Sequence, residues 1–222
     1  MEQWGAQVMA ELVSMEHPAA IDRALREIRS GHVIVMPVES GYVFAVDAFN
    51  RSAVRSLHLL RNDPPGQAAS VMIGDKDRIV GVTRELSSAA SALIAQFWPG
   101  ALSLYLKPHP ALTWDLGDEQ LLDQIAVRVP QHPFAISLLN ETGPLAVAFA
   151  SLSGRSAFTD PTLINEVFGS NLEIIVESGV IAATPANTVV DCTVHPPRVI
   201  HEGALDRARL RAACPEIGQD VG

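Results

Sequence analysis

Apolar and polar positions along the chain change period repeatedly, and the changes mark out alternating helices and strands. From His17 to Ser30, Ile21, Leu25 and Ile28 recur at helical spacing, and Gly31 follows as a stop. His32 to Val38 (HVIVMPV) is a β-branched run, read as a buried strand ending at Pro37. Residues 42–48 (YVFAVDA) predict a second strand, and Ser52 to Leu60 a short helix with Ser52 as N-cap. Arg61 to Ala69 (RNDPPGQAA) has the composition of a loop, and SVMIG from Ser70 that of a buried strand. Thr83 to Trp98 reads as an amphipathic helix capped by Thr83, with Leu86, Ala90, Leu93 and Phe97 on one face and Pro99-Gly100 as its end. ALSLYLK, IAVRVP and LAVAFA predict strands; Pro133 to Asn140 and Asp160 to Phe168 predict helices, the latter with Pro161 at its favoured first position. LEIIVES, NTVVDCT and PRVI complete the strands, and the tail after Ala204 starts helical and then frays.

This alternation gives an α/β class. Several neighbouring strands have only short links, which favours a single-domain, twisted, mixed β-sheet with helices on both faces over a purely parallel one. The expected domain runs over residues 17–205, with residues 1–16 as an N-terminal extension and 206–222 as a C-terminal tail.

Composition changes the picture in three ways. With 48% apolar residues, the chain builds a core without metals or disulfides, and no apolar run is long enough to span a membrane. The first residues carry Glu2, Glu11 and Glu16 but no Lys or Arg, so no secretory signal is expected and the protein is read as cytoplasmic. A net charge of −9, with Lys76 and Lys107 as the only lysines, argues against RNA binding. Cys192 and Cys214 lack metal-ligand spacing and are read as one buried and one tail thiol.

Ready-made chemistry is scarce. There is no Walker-type phosphate loop, no Gly-x-Gly-x-x-Gly after a strand, and no clustered histidines for zinc. Ser151-Leu152-Ser153-Gly154 lacks the glycine before serine that a nucleophile elbow needs. Arg128 is the informative residue, because it interrupts the apolar strand IAVRVP. A guanidinium on a buried strand demands either a carboxylate partner or an anionic ligand. Glu39-Ser40-Gly41-Tyr42 follows a strand, where ligands of open α/β sheets bind, although an ordinary turn with Gly41 at positive φ explains it equally. Asn187-Thr188 before VVD is similar, with strand capping as the plainer reading.

Taken in order, VIVMPVESGYVFAVDAFN, FWPGALSLYL, IAVRVPQHP, GPLAVAFASLSG, NTVVDCT and RVIHEGAL resemble the successive motifs of the YrdC family of threonylcarbamoyl-adenylate synthases. The resemblance runs from about Ile21 to Leu205. It implies a concave ligand cleft and the condensation of L-threonine, bicarbonate and ATP, with Mg2+ accompanying ATP and pyrophosphate released, for modification of transfer RNA. It also implies small-molecule partners, a nucleotide and an amino acid, with the protein a monomer or homodimer. By position, Arg61 and Arg128 become the phosphate-holding catalytic residues. Glu39, Ser40, Tyr42, Phe149, Ser151, Ser153, Asn187, Thr188 and His201 become the substrate-binding residues. No metal-ligating set is implied.

The departures fall in those same motifs. Arg61-Asn62-Asp63 stands where the family has Lys-x-Arg, and Ala148-Phe149-Ala150-Ser151 where it has Ser-Ser-Ala-Asn. An aspartate about 4 Å from a phosphate, at an effective dielectric near 20, costs about 4 kcal/mol, roughly a thousandfold in affinity. Three readings therefore stand: a threonylcarbamoyl-adenylate synthase, a non-catalytic paralogue binding a ligand or partner in the same cleft, and a related enzyme of specialised metabolism with another substrate.

Overall fold

The computed structural model describes residues 9–182 and 184–218. The outermost parts of the expected extension and tail, residues 1–8 and 219–222, lie outside the described residues.

The strands are β1 (Glu11–Ser14), β2 (Ile34–Val38), β3 (Gly41–Asp47), β4 (Ser70–Met72), β5 (Leu102–Leu106), β6 (Ile125–Arg128), β7 (Leu145–Phe149), β8 (Ile174–Glu177), β9 (Thr188–Asp191) and β10 (Arg198–His201). They form one mixed sheet in the order β1-β8-β2-β3-β7-β4-β6-β5-β9-β10. The helices are α1 (Ala20–Arg29), α2 (Arg51–Arg61), α3 (Ser88–Phe97), α4 (Pro133–Thr142), α5 (Pro161–Phe168) and α6 (Arg207–Ala213).

Strand alternation divides the core into two layers. Val35, Phe44, Val46, Val71, Leu104 and Val127 face one layer, which the apolar faces of α2, α3, α5 and α6 fill. Ile34, Met36, Val43, Ala45 and Val147 face the other, filled by α1 and α4. The helices thus lie on both faces, as the sequence pattern predicts.

Several boundaries differ from the sequence reading. Residues 11–14, placed in the extension, form β1 and pair in parallel with β8, and α6 in the expected tail packs against α3. Asn50, not Ser52, caps α2, its Oδ1 accepting from Ala53 N–H at 3.0 Å. Ser87, not Thr83, caps α3; Thr83 instead donates its hydroxyl to the Lys107 carbonyl at 2.6 Å. A hydroxyl residue caps only where the chain enters in extended conformation, and tertiary pairing decides which serine or threonine is left in that state.

Candidate functional site

In β6, Val127 points into the layer under α2 and α3, so Arg128 points to the opposite face. Met72 of β4 pairs directly with Arg128 on one side. The antiparallel register of β5 with β6 puts Ser103 beside it on the other, one step past Leu104↔Val127. On this face α1 and α4 pack over β2, β3 and β8 and leave the sheet bare beyond them. The bare part is a cleft of about 190 Å³ whose lining includes Val43, Met72, Ser103, Arg128, Phe149 and Asn187.

Arg128 is 3% exposed. Its Nη2 donates to Glu39 Oε2 at 3.0 Å and its Nη1 to Asn187 Oδ1 at 2.7 Å. Its Nε is buried without a protein partner, as are Ser40 Oγ and His132 Nδ1. The carboxylate partner and the cleft therefore coexist: Glu39 takes one edge of the fork, and donor capacity remains. Burial pushes the Arg128 pKa down, and Glu39 opposes that. Burial also acts on Glu39, but the charge of Arg128 and the Gln131 backbone N–H outweigh it and hold the carboxyl below its ordinary range. His132 is pushed down by burial, with Glu39 opposing.

The loop after α2 forms another wall. Asn62 takes the left-handed conformation (φ 55) that ends α2 and turns the chain back. Asp63 Oδ2 consequently meets Arg61 Nε at 3.0 Å and His58 Nδ1 at 2.9 Å, and Oδ1 accepts from Gln67 Nε2 at 3.2 Å. Burial works against the Asp63 charge, but hydrogen bonding from Ser153, Arg61 and His58 prevails and lowers its pKa. Arg61 Nη1 also donates to the carbonyls of Phe149 and, at 3.0 Å, of Ser151. Two expectations change here. Asp63 is not a bare charge facing a phosphate, because Arg61 already neutralises it and His58 lies within hydrogen-bonding distance. Arg61 lines the cleft but spends its donors on the protein, fixing the segment after β7.

The other sequence-predicted residues divide. Arg61, Arg128, Phe149 and Asn187 line the cleft, and Glu39 joins them through its ion pair. Tyr42 is fully buried; its hydroxyl donates to the Gly179 carbonyl at 2.6 Å and accepts from Ser178 N–H at 3.0 Å, tying β3 to the turn after β8. Ser151 is buried and donates its hydroxyl to the Arg155 carbonyl at 3.1 Å. Ser153 N–H donates to the Arg61 carbonyl at 2.8 Å. Thr188 Oγ1 donates to the Leu205 carbonyl at 2.7 Å and accepts from the N–H groups of Gly203 and Leu205, holding the turn after β10. His201 is exposed on the edge strand and is not part of the cleft lining. Ser70, Ser103, Gln67 and His58 line the cleft without having been singled out. Ser103 was detectable: it is a polar residue in the alternating strand LSLYL, on the face where Arg128 also sits.

Comparison with known proteins agrees with this fold. The family model Sua5_yciO_yrdC, described as "Telomere recombination", matches residues 26–203. A provisionally named threonylcarbamoyl-AMP synthase of Mycobacterium tuberculosis is 34% identical over 187 residues, covering 84% of this chain and 85% of that one. The structure of Sua5 from P. abyssi complexed with L-threonine superposes with a TM-score of 0.81 at 26% identity, covering 89% of this chain but only 58% of that longer one. E. coli YciO superposes with a TM-score of 0.80 at 25% identity, covering 89% and 98%.

Proposed function

We propose, on the premise that the chain belongs to the Sua5/YciO/YrdC family, that its cleft takes L-threonine, bicarbonate and ATP and forms threonylcarbamoyl-adenylate. One observation carries this reading. A buried arginine, its Nε without a protein partner, lines an open cleft. In the reaction the threonine amine and bicarbonate join as a carbamate with loss of water, and a carbamate oxygen displaces pyrophosphate from the α-phosphorus of ATP. No side chain needs to attack. The protein's contribution is positioning and stabilisation of negative charge. Arg128 brings its positive charge to an oxyanion, Asn187 and Glu39 fix the plane of its fork, and Ser103 and Ser70 supply hydroxyls on the cleft floor. Phe149, 38% exposed at the rim, offers a face to an adenine ring. Among the described residues no group of three or more His, Cys, Asp or Glu could hold a metal ion, so Mg2+ would arrive on the ATP phosphates as part of the substrate.

A second reading, a paralogue that binds the amino acid without adenylating it, is favoured by the Arg61–Asp63 pair and by size. The cleft's 190 Å³ falls below the roughly 300 Å³ at which drug-sized pockets begin. Pyrophosphate release in the presence of threonine, bicarbonate and magnesium ATP separates the two. Release that depends on threonine, and disappears in Arg128→Met, supports the synthase; threonine binding without release supports the second reading.

A further inference from the structure

A second, larger cavity of about 680 Å³ opens between α2 and the 115–119 segment, and it shares His58 and Asp63 with the cleft. The partition is built rather than incidental. Gly117 has φ +98, and a Cβ there would fall 2.2 Å from His58 Nε2, so only glycine lets this segment seat against α2. The contact is closed by His58 Nε2 at 2.8 Å from the Leu116 carbonyl.

The walls are largely apolar, with Val54, Leu59, Pro64 and Pro65 among them. Of the charges on the lining, Arg51 is matched by Asp115 at 3.4 Å, and Asp63 by Arg61 at 3.0 Å. Two remain. Among the described residues neither Arg55 nor Glu119 has a side-chain hydrogen bond or an ion pair, yet both face this cavity. Glu119 and Gln120 also hold left-handed backbone (φ 58 and 65), a conformation that non-glycine residues keep mostly at turns and ligand-binding sites.

We infer that this cavity binds a zwitterion with an apolar body, an apolar α-amino acid. A carboxylate alone would meet Glu119 unfavourably and an amine alone would meet Arg55. A molecule carrying both satisfies both, while its side chain covers Val54, Leu59 and the two prolines. Because His58 and Asp63 belong to both cavities, an occupant here also touches the wall that fixes Arg61.

Calorimetric titration with L-phenylalanine tests this. The expected result is one saturable site, with 3-phenylpropionate and phenethylamine each binding at least about tenfold more weakly. Arg55→Ala and Glu119→Ala each weaken phenylalanine binding about tenfold, and both are surface changes that leave the unfolding temperature in place. Arg128→Met, which alters the cleft, leaves phenylalanine binding unchanged. Absence of saturable binding overturns the inference, as does binding that survives both surface changes or is lost in Arg128→Met.

Discussion

Arg128 Nη2 and Glu39 Oε2 meet at 3.0 Å, 89 residues apart in the chain, joining the end of β6 to the turn between β2 and β3. The guanidinium is almost wholly enclosed, so losing its partner leaves a buried charge uncompensated. Glu39→Gln is expected to cost about 3 kcal/mol at neutral pH, read as the change in unfolding free energy by urea titration.

The same pair sets an acid response. The folded pKa of Glu39 lies below its ordinary value of 4.5, so the folded state favours the ionised form more than the unfolded chain does. Its stabilisation is complete above the ordinary value and is lost as pH falls through the lower, folded one. Unfolding free energy measured from pH 7 downward should therefore fall in the wild type below about pH 4.5 with a slope that is shallower in Glu39→Gln.

Asp63 holds Arg61 and His58 at once, and Arg61 in turn holds the carbonyls after β7. Asp63→Ala releases that guanidinium and removes the anion beside the cleft. The expected outcome is a stability loss of about 2 kcal/mol together with at least about tenfold tighter binding of ATP, read by thermal unfolding and calorimetry.

The Cys192 thiol is pushed up to about 12 by burial first, then by Cys214 and Asp191 nearby. Only thiolate reacts at a useful rate. Alkylation by iodoacetamide at pH 8 should be slow for Cys192 in the folded protein and rapid once it is unfolded, as peptide mass spectrometry would show.

The strand-and-helix layout was legible because each element's apolar period is local, as in HVIVMPV against Ile21, Leu25 and Ile28. Arg128 was legible for the same reason, as a charge breaking an apolar strand. Its partner was not: nothing local in Glu39-Ser40-Gly41 names a residue 89 positions away. The meaning of Asp63 was misjudged because its neutralisation depends on Asn62 turning the chain back at the end of α2, which brings His58 within reach. Tyr42, Ser151 and Thr188 looked like ligand contacts because they are polar residues in family motifs. Buried polar groups must find partners, and the backbone nearby claimed them first.

The most direct test of the cleft is calorimetric titration of L-threonine into the wild type and Arg128→Met. One site is expected in the wild type, with roughly thirtyfold or greater loss of affinity in the variant, as removal of a charge-assisted contact implies. Equal affinity in the two proteins, or no threonine binding by the wild type, would contradict it.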